Sequence, residues 1–247
     1  MLRKIKNHFL RDIINRLTDL ERAVSVLVNS PTYQPGEGGG FNGLAGRQRI
    51  FEEVLKKYRF SCIIETGTHI GETTGYLSVK SKLPVYSAEI NKNMYSLARM
   101  RLKNISGIYL YHSDSREIIK ELSNHPEIFQ NEVFFYLDAH WENDCPLVEE
   151  IEQVASRWAK FVIMVDDFQV PGDEGYGYDW YSAFQKMNIS LIRSTIKKHK
   201  LRAFFPAIPS AEESVQPKPR GFVILTRDHE YADSLETIPL LRRHQGK

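Results

Sequence analysis

Five short apolar runs, each followed by a helix-length stretch, constrain this chain more than any other feature. They predict strands at Ser61–Glu65, Val85–Glu89, Ile108–Tyr111, Val133–Leu137 and Phe161–Val165. Helical patterns lie between them at Gly71–Lys80, Asn91–Lys103, Ser115–Leu122 and Pro146–Trp158. Strand and helix repeated with short links predict an α/β fold: a doubly wound, seven-stranded, mostly parallel sheet with helices on both faces. A continuous run such as Val133-Phe134-Phe135-Tyr136-Leu137 suits a central strand covered on both sides. A helix near Trp180–Lys200 precedes two last strands, Arg202–Phe205 and Gly221–Thr226, joined by the long connection PAIPSAEESVQPKPR. The tail beyond Asp228 is charged and is expected to fray.

Length and charge narrow the class. The 247 residues fit one α/β domain with an appendage. Lys and Arg number 33 against 31 Asp and Glu, a net charge of +2, too balanced to imply nucleic acid or an anionic membrane as the main partner. Two cysteines, Cys62 and Cys145, are too few for a disulfide scaffold or a cysteine-based zinc site. Cys62 lies in an apolar run and reads as a core residue. No stretch of about 18 uncharged apolar residues is present, so no membrane span is expected. The first 22 residues carry charges throughout and lack a signal peptide's apolar centre, so a cytoplasmic protein is expected.

Ahead of the first strand, residues 1–29 predict an amphipathic helix, with Leu2, Ile5, Phe9, Ile13, Leu17, Leu20, Val24 and Leu27 three or four apart. It reads as a helix packed on its own domain or as a homo-oligomerising pair; mixed charges disfavour a membrane-surface helix. Residues 30–46 hold Pro31, Pro35 and Gly38-Gly39-Gly40, which break a helix and read as a linker or as a mobile loop beside a site. The main domain is expected over 47–247, opening on a helix at Arg47–Tyr58.

In a parallel sheet of this kind a ligand belongs at the carboxyl ends of the strands. The first strand ends in Glu65-Thr66-Gly67-Thr68-His69-Ile70-Gly71-Glu72-Thr73-Thr74. Gly67 and Gly71 let backbone approach a ligand, or serve a purely structural turn. The spacing is neither the dinucleotide fingerprint nor a P-loop, and an acid ahead of the glycines suits an ammonium group better than a pyrophosphate. Glu89, ending the second strand, sits where ribose hydroxyls are accepted in nucleoside-binding folds. After the third strand, Asp114 and Ser115 cap the next helix, touch an adenine, or do both. The fourth and fifth strands end in Asp138-Ala139-His140-Trp141 and Asp166-Asp167. Carboxylates converging there repel one another unless a cation or protons intervene, and all-oxygen ligation suits Mg²⁺. The plainer alternatives are a helix cap for Asp138 and solvated acids for the pair. His140 has no second His or Cys at zinc-ligand spacing and reads as a base or a substrate contact.

Taken in order, these motifs resemble class I S-adenosylmethionine-dependent methyltransferases, and within them the metal-dependent O-methyltransferases. E-T-G-T-H-I-G-E-T-T resembles motif I. By that resemblance Glu65, Thr66, Gly67, Thr68 and Gly71 hold the methionine part, Glu65 and Thr73 contacting its amino and carboxylate groups. Glu89 accepts the ribose hydroxyls, and Asp114 and Ser115 flank the adenine. Y-L-D-A-H-W and M-V-D-D-F resemble the strand ends of catechol O-methyltransferase. They are closer still to sugar O-methyltransferases of the macrocin O-methyltransferase kind and to cephalosporin hydroxylase-like proteins. The resemblance covers roughly 41–226 and implies a Rossmann-like methyltransferase fold. It implies S-adenosylmethionine and Mg²⁺ (or Mn²⁺) as cofactors, the metal held by Asp138, Asp166 and Asp167, with Asp138 also at the cofactor's edge. The catechol enzyme's lysine after D-H-W is absent here, where Glu142 follows Trp141. His140, then Asp138, is the nearest substitute base.

The function so implied is methyl transfer to a hydroxyl of a small molecule, a sugar or vicinal diol, with loop 36–46 and the segment 171–180 closing over it. Tyr176, Tyr178, Trp180 and Trp141 offer stacking faces for a sugar ring, or simply pack. The alternatives are another metal-dependent enzyme and a non-catalytic binding protein on the same fold.

Overall fold

Register brings the carboxyl ends of the parallel strands to one edge of the sheet. In the computed structural model, which describes residues 39–140, 144–181, 185–213, 218–227 and 230–245 with the single positions Leu17 and Val24, eight strands form one sheet. In chain order they are β1 (Cys62–Thr66), β2 (Val85–Glu89), β3 (Ile108–His112), β4 (Val133–Leu137), β5 (Phe161–Val165), β6 (Leu201–Pro206), β7 (Val223–Arg227) and β8 (Leu241–Arg243). Their spatial order is β3-β2-β1-β4-β5-β7-β6-β8. β7 runs against β5, β6 against β7 and β8 against β6, so only β7 and β8 oppose the common direction. The chain leaves β1 toward β2 and β3, then returns on the other side to β4, which makes the β1/β4 boundary the switch point where a ligand crevice opens.

The helices are α1 (Ala45–Lys57), α2 (Glu72–Ser81), α3 (Lys92–Leu102), α4 (Ser115–Leu122), α5 (Pro126–Phe129), α6 (Leu147–Arg157), α7 (Ile189–His199) and α8 (Glu230–Glu236). Their starts are chemically marked. Asn91 accepts from the backbone N–H of Asn93 and Met94 ahead of α3, and Asn188 accepts from Leu191 ahead of α7. Strand alternation then divides the core. Phe134 and Tyr136 of β4 pack with Ile50, Phe51, Leu77 and Ala232 on one face, against α1, α2 and α8. Val133, Phe135 and Leu137 pack with Ile118, Ile151 and Ile192 on the other, against α4, α6 and α7. β1, β4 and β5 are buried along their whole length, as runs without alternation require.

Several expectations change. The sheet has eight strands rather than seven, and the charged tail does not simply fray. Ala232, Leu235, Ile238 and Leu241 recur every third residue and are buried, which carries α8 and then β8 onto the edge of β6. The glycine-rich stretch also behaves differently over its described part. Residues 40–43 form a single 3₁₀ turn whose Phe41 ring is buried edge-on to Phe51, Tyr76 and Tyr136. Burying such a ring contributes roughly 1.5–3 kcal/mol. Gly40 is required because a Cβ there would meet the Tyr76 ring at 2.2 Å. Residues 39–46 thus belong to the packed framework and not to a loop free to close over the site, and the first helix begins at Ala45 rather than Arg47. The expected N-terminal helix over 1–29 lies outside the described residues. No helix among the described residues is long and apolar enough to cross a membrane.

Candidate active site

Thr66, Leu137 and Val165 stand in register, so Gly67, Asp138 and Asp166 follow side by side at the carboxyl edge. On the same edge Glu89 pairs with His112 across to β3. The acids expected at the strand ends therefore share one rim.

On the β1/β2 side, Glu65 is fully buried. Its Oε2 accepts from Thr74 Oγ1 at 2.5 Å and from Ser87 Oγ at 2.6 Å, while Oε1 has no partner. Burial pushes this carboxyl up to about 7, against the pull of the two hydroxyls. Thr68 and Ser87 share a hydroxyl contact at 2.6 Å, and Thr66 Oγ1 accepts from the Asp138 N–H at 3.4 Å. Glu89 takes one backbone donor on each oxygen, His69 N on Oε2 and Asn91 N on Oε1, both at 2.7 Å. Each oxygen keeps a second acceptor site. Burial raises this carboxyl too.

The two glycines of the turn have separate causes. Gly67 has φ +84°, and a Cβ there would lie 2.3 Å from the Asp138 carbonyl oxygen. Gly71 has φ +81°, and its Cβ would press on Leu102. Gly67→Ala is expected to destabilise the protein by roughly 2–4 kcal/mol, combining left-handed strain with a backbone clash, and thermal denaturation checks it.

Thr73 points away from the expected contact, and Asp114 takes the capping role that was one of its two expected ones. Thr73 Oγ1 accepts from the Phe41 N–H at 3.2 Å, which pins the 3₁₀ turn; Thr74, its neighbour, reaches Glu65. Asp114 caps α4, and its carboxylate is engaged by the Arg116 N–H and guanidinium, which hold it below the usual carboxylate range. Ser115 is buried at the first turn of α4.

On the β4/β5 side the acids divide their work. Asp166 is spent: Oδ1 accepts from the Arg47 guanidinium and from the Asp167 N–H at 2.6 Å, and Oδ2 from the Tyr136 hydroxyl at 2.5 Å. Burial works to raise it, but the Arg47 charge prevails and holds it below the ordinary range. The backbone bond from Asp167 to Asp166 accompanies a left-handed Asp167, φ +52°. That conformation presents Asp167 Oδ2 toward His140 Nε2 at 4.0 Å, while Asp138 Oδ1 lies 3.7 Å from the same nitrogen. Donor atoms of Asp138, His140 and Asp167 all lie within 4.8 Å of one another. This is the set that converges, in place of the expected Asp138, Asp166 and Asp167.

Burial, with the charges of Asp166 and Asp167, drives Asp138 well above the usual range, and burial together with Asp166 lifts Asp167 to about 7. His140 is buried with neither ring nitrogen hydrogen-bonded, and burial holds it neutral. Arg220 closes the cluster, Nε on Asp167 Oδ1 at 2.5 Å and Nη2 on Asp179. Arg47, Tyr136, Arg220 and Asp179 were not foreseen. Only Tyr136, a hydroxyl in an otherwise apolar run, left a signal in the sequence.

Of the aromatic faces, Tyr176 is buried and donates to the Ile208 carbonyl, so it packs rather than stacks on a ligand. Trp180 is 53% exposed beside Asp179, and Tyr178 is half-buried. Trp141 lies outside the described residues.

No family model matches the sequence, and no curated protein matches it. Solved structures do match the fold. An O-methyltransferase from Bacillus cereus, in complex with SAH, superposes with a TM-score of 0.52 at 14% identity, over 84% of this chain and 88% of that one. A Klebsiella pneumoniae protein provisionally named an O-methyltransferase gives a TM-score of 0.53 at 12% identity, over 86% and 89%. At such identities the likeness speaks for architecture: this chain has the Rossmann-like α/β fold of the class I methyltransferases.

Proposed function

We propose that the protein transfers a methyl group from S-adenosylmethionine to a hydroxyl of a small molecule, with a sugar or other diol as the acceptor class and Mg²⁺ orienting it. The observation that carries this is the rim itself, which sets an unpartnered buried Glu65 oxygen beside the converging Asp138, His140 and Asp167. The cofactor supplies an electrophilic methyl on a sulfonium centre, and the metal supplies a charge that orients the acceptor and eases loss of its proton.

The residues fit both groups. Glu65 Oε1 is a buried acceptor suited to an ammonium group, and Gly67, Thr66, Thr68 and Gly71 shape the turn beside it. The remaining acceptor sites on Glu89 suit a pair of ribose hydroxyls. Ser115 and the capped turn of Asp114 flank the purine. Among the described residues, the acid cluster of Asp138, Asp166, Asp167 and Asp179 faces two guanidiniums, Arg47 and Arg220. With all four acids ionised, the excess of two negative charges is what a divalent cation cancels.

Asp138 and Asp167 would hold a hard ion through carboxylate oxygens, and His140 Nε2 would stay outside that set as a base. A neutral imidazole there accepts the hydroxyl proton; Asp166 then acts through Asp167 as a positioning residue. Trp180 and Tyr178 offer ring faces for a sugar.

The test is calorimetric titration of the purified protein with S-adenosylhomocysteine, with and without Mg²⁺. Micromolar binding is expected. Asp138→Ala should keep that affinity within a few-fold while removing Mg²⁺-dependent turnover, because Glu65 and Glu89 carry the cofactor's polar contacts and Asp138 stands only at its edge. A folded protein that binds no S-adenosylhomocysteine under either condition overturns the reading.

A further inference from the structure

We infer that Glu150 is a purine-specificity residue, its carboxyl reading the 6-amino group of the nucleoside cofactor. The inference rests on the methyltransferase reading above and adds a residue from a helix which that reading leaves out.

Glu150 lies on the buried stripe of α6, between Leu147, Ile151 and Val154. On that stripe packing alone would select a hydrophobic residue. Glu150 is fully buried, yet neither carboxyl oxygen has a hydrogen-bond partner. A carboxyl so placed costs the free protein stability, since an unpaired buried acceptor forfeits its hydration. Burial pushes it up to about 7.

Its surroundings locate it. The Ser115 and Thr66 hydroxyls are the polar groups that act on it most strongly, though neither reaches hydrogen-bonding geometry, and the charges of Asp114 and Arg116 follow. Ser115 opens α4 and Thr66 closes β1. Glu150 is therefore buried between the carboxyl end of β1 and the start of α4, beside Ser115 of the proposed purine subsite. An adenine presents there an exocyclic amine with two N–H donors and a ring nitrogen acceptor. An ionised carboxyl accepts from the amine, and a protonated one donates to the ring nitrogen. A 6-oxo purine instead sets its O6 against a carboxylate placed for the 6-amino group, and its only donor on that edge is N1–H, one ring position away.

The experiment compares S-adenosylhomocysteine with S-inosylhomocysteine, its 6-oxo counterpart, by calorimetry at pH 8, on wild type, Glu150→Leu and Glu150→Gln. Wild type should prefer the adenosyl form by about 30-fold or more. Glu150→Leu should melt higher than wild type without ligand, yet bind S-adenosylhomocysteine about tenfold more weakly and lose most of the preference. Glu150→Gln, whose amide turns to present either C=O or N–H, should bind the two forms within about threefold, and it covers the case in which the leucine variant fails to fold. A preference unchanged in a folded variant overturns the inference and leaves Glu150 a structural acid. Wild type binding neither nucleoside overturns the methyltransferase reading itself, and this inference with it.

Discussion

Arg47→Met is expected to lower the stability of the protein by about 3–5 kcal/mol, the usual result of removing one partner from a buried ion pair. Arg47 is fully buried, and its guanidinium spans Asp166 and the Arg220 carbonyl while lying 4.9 Å over the Phe222 ring. Methionine fills much of the same volume but strands the Asp166 carboxylate with only the Tyr136 hydroxyl and one backbone N–H. For a domain of this size the loss corresponds to a fall of roughly 10 °C in Tm. The double variant Arg47→Met, Asp166→Asn should recover at least half of it, because the stranded charge and not the lost attraction sets the cost. Urea denaturation of the single and double variants checks both values. A single variant as stable as wild type would show that the pair is not buried as described.

That pair also marks the limit of what could be read from the chain. The strand ends were legible because a buried parallel strand must be apolar along its length, so the first acid after each run marks an edge. Glu65, Glu89, Asp138, Asp166 and Asp167 were all found that way, and the register of β1, β4 and β5 lines up the edges on which they sit. What each acid does there was not legible. Asp166 is neutralised by a residue 119 positions away, and nothing local to Arg47 sets it apart from Arg49. His140 joined the convergent set only through the turn that follows β4. Phe41 reads as part of a break because glycines surround it, yet one of them, Gly40, is what lets the Tyr76 ring pack there. The last strand was hidden by charge, its apolar positions three apart among acids and bases. In each case the missing information is a contact between distant segments, which periodicity cannot carry.

Glu65→Gln is expected to make the ligand-free protein more stable and cofactor binding far weaker. The native carboxyl is pushed by burial from an ordinary value of 4.5 to about 7. Between those values the unfolded chain has released this proton and the folded one has not, so wild-type stability falls as pH rises through the window. The penalty is fully present above pH 7 and amounts to about 3 kcal/mol. Glutamine has no charge to bury, and its carbonyl still accepts from Thr74 and Ser87. The variant should therefore gain most over wild type at pH 8 and less than about 1 kcal/mol at pH 5, with every other titrating group cancelling in the comparison. Affinity moves the opposite way. An ammonium group that met a carboxylate meets an amide, and S-adenosylhomocysteine should bind roughly 30-fold more weakly, the loss of one charge-assisted hydrogen bond. Melting curves at the two pH values and one titration decide it. A variant less stable than wild type at pH 8 would mean that Glu65 is a structural anchor of the β1 turn. A more stable variant with unchanged affinity would move the ammonium to another acid on the rim. Stability gained together with affinity lost is the pattern of a group kept charged in the core for its ligand.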